Sequence, residues 1–325
     1  MGDECAELRA SPSDRTSSWP RGWCCSRASR FGVVIVHLVD GTYELYRQFY
    51  GQLGRHSDEH EYAGVIGALS STLQLIEDGA THIGVATDHV IESFRNDLWP
   101  GYKTSEGMEP EILRQIPVLE RALGSMGVTV WAMEEFEADD ALASAVRVAC
   151  EDRRVHQVQL LTPDKDLGQC VSGRRVVQVD RRNGSLIDEK AVHEKFGVGP
   201  ESIIDYLALV GDTADGFPGL PGWGAKSAST LLAKYGDIMS IPPDHAQWAS
   251  DGVKVRGAEK LATTLRDKRA DAELFRILAT LVDTVNVGSV DDWKWQAPTP
   301  EFLALTQEWG VPKLGERAES LRRLK

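Results

Sequence analysis

The sequence has few cysteines and none at a spacing that suits a metal. The five are Cys5, Cys24, Cys25, Cys150 and Cys170, an odd number with no CxxC among them. This excludes a zinc ribbon and a disulfide framework and points to a reducing, cytoplasmic setting. Long apolar runs are missing as well. The longest near the start is Val33-Val34-Ile35-Val36, far below the ~20 residues of a membrane span, so no membrane association is expected. The first thirty residues have no apolar signal segment, and Asp3, Glu4 and Glu7 stand where a secretory leader is basic. Positive charge is also short, with 36 Lys and Arg against 49 Asp and Glu and a net charge of −13. Duplex DNA is a dense polyanion, so that balance argues at first against a nucleic-acid partner.

What is present is enough to build cores. The chain has 325 residues, 42% of them apolar and 26% charged, which suits two domains and excludes wholesale disorder. Residues 1–31 are rich in Ser, Arg, Trp and Pro without periodicity and read as a disordered extension. Val33 to Asp40 is a near-continuous apolar run closing on a carboxylate, the pattern of a parallel strand buried on both faces. Further strands are expected at His82–Asp88, Val128–Met133, Val155–Leu161 and Val176–Val179. Helices are expected between them, over Tyr62–Asp78, Pro110–Gly124 and Glu137–Asp152. This alternation predicts an α/β domain with a parallel sheet over residues 32–184. Helical patterns dominate residues 185–290, and residues 291–325 read as a tail with one or two helices.

The carboxylates fall in an unusual place. Asp40, Asp88, Asp164 and Asp166 each follow an expected strand C-terminus, where open parallel sheets bind ligands. Glu137-Ala138-Asp139-Asp140 opens the helix after the third strand, with Glu137 and Asp140 on one face. Any one of these acids could simply meet the helix dipole or close a turn. Together on one rim they would repel strongly unless cations sat among them. Hard oxygen ligands without Cys or paired His suit Mg²⁺ or Mn²⁺, and their number suffices for two ions that clamp a phosphodiester.

The second half carries Gly211-Asp212-Thr213-Ala214-Asp215-Gly216-Phe217-Pro218-Gly219-Leu220-Pro221-Gly222-Trp223-Gly224-Ala225-Lys226-Ser227. A nucleotide-binding P-loop is excluded, because Ala225 stands between Gly224 and Lys226 and no strand leads in; no nucleotide cofactor is expected. The segment reads instead as a helical hairpin whose amides at Gly222, Gly224, Lys226 and Ser227 hold DNA backbone phosphates, independent of base sequence. A tight interhelical turn is the plain alternative.

These motifs resemble the 5′-to-3′ exonucleases of the flap-endonuclease superfamily. The matching stretches are Leu38-Val39-Asp40-Gly41 with Tyr46-Arg47, Asp88 with Ser93-Phe94-Arg95 and Pro100-Gly101-Tyr102-Lys103, Glu137 to Asp140, Thr162 to Asp166, and Gly211 to Asp215. The resemblance covers about residues 33 to 290. It implies a PIN-like (resolvase-like) α/β domain followed by a helix–three-turn–helix domain that grips duplex DNA. It also implies a monomeric nuclease acting on branched, nicked or 5′-ended DNA. Asp40, Asp88, Glu137, Asp139 and Asp140 would form a first metal group, and Asp164, Asp166, Asp212 and Asp215 a second. Lys103 and Arg95 would stand near the scissile phosphate, and Tyr43 or Tyr46 would stack on a terminal base or else pack the first helix. A K⁺ ion would sit at the hairpin on carbonyls near Leu209, Val210, Pro218, Leu220 and Trp223. The chain departs from the usual pattern in reading Thr104-Ser105-Glu106 after Lys103, a weakly basic arch, and Gly216-Phe217 in the hairpin.

Two other readings compete. A toxin-like PIN ribonuclease would be much shorter and lack the second half. A non-catalytic DNA-junction binder would not need the full acidic set. That set also answers the charge objection, since setting its nine acids aside moves the balance from −13 to −4. A basic stretch with Lys254, Arg256, Lys260, Arg266, Lys268 and Arg269 reads either as a DNA track or as a solvated helix face.

Overall fold

The computed structural model describes residues 34–52 and 61–322. The extension over residues 1–31 lies outside the described residues. Six strands form one sheet: β1 (Val34–Asp40), β2 (His82–Asp88), β3 (Thr129–Met133), β4 (Val155–Leu161), β5 (Val176–Asp180) and β6 (Ser185–Ile187). Their order is β3-β2-β1-β4-β5-β6, parallel throughout except for the antiparallel edge strand β6. The five expected strands are all present. β6 lies beyond the boundary placed at residue 184, so the sheet domain runs past it.

Helices α1 (Gly41–Gln52), α2 (Ala63–Glu77), α3 (Phe94–Leu98), α4 (Pro110–Ser125) and α5 (Ala138–Glu151) connect the strands. β1 and β2 are buried almost end to end, as their apolar runs require when helices cover both faces. One face packs on α1, α2 and α4 through Leu45, Leu69, Leu73, Ile116 and Leu119. The other packs on α5 through Ala141, Leu142 and Ala145. Gly84 in β2 leaves room for the Trp131 ring, since a Cβ there would stand 2.1 Å from it.

The second half contributes α6 (Glu189–Phe196), α7 (Ile203–Val210), α8 (Ala225–Tyr235), α9 (His245–Ser250), α10 (Ala258–Asp267) and α11 (Arg269–Ala279). Leu207, Leu231, Trp248, Leu265 and Phe275 form its core, which also takes Tyr102 from the sheet domain.

Residues 291–325 contain the two helices expected of the tail. A turn at Val290–Trp293, then α12 (Pro300–Glu308) and α13 (Pro312–Arg322), fold back onto the sheet domain. Trp293 meets Trp131 edge-on at 5.5 Å, and Trp295 donates its indole N–H to the Met126 carbonyl at 2.9 Å. Phe302, Trp309 and Leu314 complete the core over α2 and α4. Burying these large side chains, at ~25 cal/mol per Å² of apolar surface, holds the segment down. No helix among the described residues is long and apolar enough to cross a membrane.

Candidate metal-dependent active site

β1 is the strand at which the chain order reverses, and the carboxylates collect at the C-terminal ends of the strands around it. Asp40 ends β1, where its oxygens accept the Tyr43 N–H at 2.8 Å and the Thr162 hydroxyl at 3.1 Å. Asp88 ends β2 and caps α5 by accepting the Ala138 N–H at 2.8 Å. Asp40, Asp88, Glu137, Asp139 and Asp164 line one open cavity of about 310 Å³ with Tyr43, Tyr46 and Lys103. Asp164, assigned by sequence to the second group, therefore faces the first.

Electrostatics mark this cavity. Burial, then the charges of Asp88 and Asp164, push the Asp40 carboxyl up to about 7, against the Tyr43 N–H bond that lowers it. Burial, then Asp164 and Asp40, hold Asp139 well above the usual carboxylate range. Burial also raises Asp88, with Lys103 opposing. Protonation is one relief for such crowding; a divalent ion is the other.

A second cluster adjoins it. Asp166, Asp212 and Asp215 are buried, and their ligand atoms lie within 4.8 Å of one another. Asp166 follows β4, while the other two come from the loop after α7, which is pinned by paired Asp212–Phe217 backbone bonds of 2.8 and 3.0 Å. One buried oxygen of Asp166, Oδ1, has no hydrogen-bond partner. Burial, then Asp164 and Asp215, push that carboxyl well up. An orphaned buried carboxylate oxygen among other acids fits a hard divalent cation.

The remaining sequence-predicted residues divide. Lys103 reaches the junction of the two clusters, with Nζ 2.7 Å from Glu137 and 3.0 Å from Asp215. Burial pulls its ammonium down, but Glu137 and Asp215 outweigh that and hold it well above its ordinary range. Arg95 does not open onto the cavity. Its guanidinium is 1% exposed and binds Asp140 through both Nη atoms at 2.8 and 2.7 Å. It also donates to the carbonyls of Leu278 and Thr280. Asp140, fully buried, further accepts the N–H groups of Glu137 and Val282. Arg95 and Asp140 therefore tie α3, α5 and the end of α11 together. Glu137 likewise accepts from Ser93 at 2.7 Å and from Arg95 at 3.2 Å. Although burial raises it, Lys103 and Arg95 hold its carboxyl below the usual range.

Sequence reasoning missed Lys165, whose ammonium pairs with Asp212 and stands 3.9 Å from Asp166. The signal was a lysine flanked by two aspartates at a strand end.

At the hairpin, Gly211 and Gly219 adopt φ of 88° and 67°. A Cβ on Gly219 would lie 2.3 Å from the Gly211 nitrogen, so only glycine permits the approach. The Leu209 carbonyl accepts from Leu220, and the Leu220 carbonyl from Trp223. Beyond it, Gly222, Gly224, Lys226 and Ser227 line an open groove of about 610 Å³ with Lys254 and Arg256. The basic stretch thus splits. Lys254 and Arg256 face the hairpin groove, whereas Arg266, Lys268 and Arg269 pair with Asp267, Asp271 and Glu273.

Two family models cover this architecture from β1 to the start of α12. The 5′-3′ exonuclease N-terminal resolvase-like domain matches residues 35–197, and the 5′-3′ exonuclease C-terminal SAM fold matches residues 198–301. The chain belongs to the 5′-3′ exonuclease family. DNA polymerase I of Bacillus caldotenax is 31% identical over 291 residues, which cover 87% of this chain and 32% of the polymerase. The chain thus spans about a third of the length of that relative. In fold it is similar to the bacteriophage T5 flap endonuclease solved as a pseudo-enzyme-product complex with DNA and metal ions. That likeness has a TM-score of 0.62 at 18% identity, over 89% of this chain and 98% of that one. It is also similar to flap endonuclease-1 of Methanococcus jannaschii, with a TM-score of 0.55 at 16% identity over 92% and 95% of the two chains. The 5′-3′ exonucleases and flap endonucleases are nucleases, and the acidic rim lies where this family's two domains meet.

The raised carboxyls carry a prediction. A carboxyl whose folded pKa is raised stabilises the fold below its unfolded value near 4, and that contribution is lost as pH rises through the folded value, about 7 for Asp40. Divalent ions remove the repulsion that appears above that window. The Tm gain on adding Mn²⁺ is therefore larger at pH 8 than at pH 5.5. Equal gains at the two pH values, by differential scanning fluorimetry, would contradict the link.

Proposed function

We propose that the chain hydrolyses phosphodiester bonds in branched, nicked or 5′-ended duplex DNA with two divalent ions, Mg²⁺ or Mn²⁺. The observation that supports it most is the pair of adjoining carboxylate clusters, held at one rim with raised carboxyls and an orphaned Asp166 oxygen. Asp40, Asp88, Asp139 and Asp164 would hold one ion, with Glu137 behind them, and Asp166, Asp212 and Asp215 the other. Asp140 contributes by fixing Arg95 and the start of α5. Divalent ions held there would supply a water of lowered pKa and charge stabilisation of the leaving oxygen.

The chain's own residues do the rest. Lys103, poised between the clusters, offers an ammonium to the scissile phosphate. Tyr43 and Tyr46 line the same cavity and present rings to an unpaired base, a sequence-tolerant contact. The amides opening α8, with Lys226, Lys254 and Arg256, hold the duplex backbone by shape. The hairpin carbonyls near Leu209, Val210, Pro218, Leu220 and Trp223 would hold a K⁺ ion that stiffens this grip.

Incubating the protein with labelled flap, nicked and blunt duplexes in Mg²⁺ or EDTA tests the reading. Metal-dependent products from the flap or nicked substrate support it, and no product from any substrate overturns it. A second prediction addresses the groove. Lys226→Glu weakens binding to all duplex sequences about equally and lowers the salt slope by roughly one. Fluorescence anisotropy across salt concentrations reads it; unchanged binding removes the hairpin from the interface.

A further inference from the structure

Lys165 sits where the second ion would be. Its ammonium contacts Oδ2 of Asp212 and lies 3.9 Å from Oδ1 of Asp166, the same oxygen that lacks a hydrogen-bond partner. The other oxygen of Asp212, Oδ1, already accepts the Ala214 N–H at 2.9 Å. Asp215 is engaged from the other side by Lys103 at 3.0 Å. A cation that uses Asp212 Oδ2 competes for it with Lys165, whose like charge stands at that oxygen. The backbone of Lys165 is fixed by its carbonyl, which accepts the Gly168 N–H at 3.0 Å. Its side chain is 32% exposed, however, so the ammonium has a route outward that the 2%-exposed Asp212 lacks.

We propose that Lys165 is an internal competitor for the second ion. Its ammonium neutralises Asp212 and Asp166 in the metal-free protein and must swing out before a divalent cation binds there. This rests on the two-ion reading above. It makes the two ion positions unequal. Among the described residues no ammonium pairs with Asp40, Asp88, Asp139 or Asp164, Lys103 reaching Glu137 beside them instead, while the Asp166, Asp212 and Asp215 position starts with Lys165 on Asp212. The second ion is thus the weaker, and Lys165 sets how much weaker. The lysine also keeps the empty cluster from repelling itself, so the metal-free fold depends on it.

The test is Mn²⁺ binding to the full, metal-stripped chain without DNA, followed by the electron paramagnetic resonance of free Mn²⁺. Wild type takes two ions of unequal affinity. Lys165→Met, which keeps the stem and removes the charge, tightens the weaker site about tenfold or more and lowers Tm in EDTA. Lys165→Gln is the second variant, in case the first does not fold. A weaker site that is unchanged or loosened in the folded variant overturns the proposal, because a merely structural lysine would loosen it. Wild type that never takes more than one ion overturns the two-ion reading itself, and with it this inference.

Discussion

Asp139→Asn lowers the single-turnover cleavage rate of a flap duplex by about three orders of magnitude while DNA affinity changes only a few-fold. Asp139 opens α5 and lines the cavity with Asp40, Asp88 and Asp164, and burial, then Asp164 and Asp40, hold its carboxyl well above the usual range. The amide keeps the shape and removes a charged ligand. A catalytic ion provides several kcal/mol of transition-state stabilisation, so losing about 4 kcal/mol costs roughly a thousandfold in rate. The proposed function assigns binding to the hairpin groove lined by Lys226, Lys254 and Arg256, which the substitution leaves alone. Rapid-quench cleavage alongside anisotropy separates the two effects. Loss of binding in step with cleavage would make Asp139 structural. Unchanged cleavage would remove it from the site.

Arg95→Met destabilises the fold by roughly 3–5 kcal/mol, because it strands a buried charge rather than deleting a surface pair. Asp140 is 0% exposed and loses both of its guanidinium contacts. The Leu278 and Thr280 carbonyls lose their donor as well, and those bonds fasten the end of α11 to the sheet domain. Urea denaturation reads the loss. The double variant Arg95→Met with Asp140→Leu recovers most of it, since no unpaired charge then remains. A single variant within about 1 kcal/mol of wild type would show that the pair contributes little.

Much of this was legible in the sequence, for physical reasons. Buried parallel strands have to be nearly continuous apolar runs, so β1 and β2 announce themselves, and the carboxylates that end them are conspicuous because those runs contain no others. The hairpin was legible through Gly211, Gly219 and Gly222, which all take positive φ. β6 was missed because it is three residues long at the sheet edge, although Asn183-Gly184 before it is a hairpin-turn signal. The two C-terminal helices were expected, but their return onto the sheet domain was not, because local spacing does not say which core Trp293, Trp295 and Phe302 fill. They bury themselves by tertiary contact alone. At the site, spacing placed the acids on one rim. It could not tell which of them face the cavity and which are committed to a buried arginine, because that depends on where α3 and α11 dock. Arg95 and Lys165 differ in the same way. Each is a cation beside aspartates in sequence, yet one is locked in the interior and the other can reach solvent.

The most direct test of the two-ion nuclease is the Mg²⁺ dependence of single-turnover cleavage of a 5′-flap duplex by the whole chain. The account predicts no cleavage in EDTA and a rise approaching the second power of Mg²⁺ concentration at low metal. A rate independent of Mg²⁺, or first-order throughout, would contradict it.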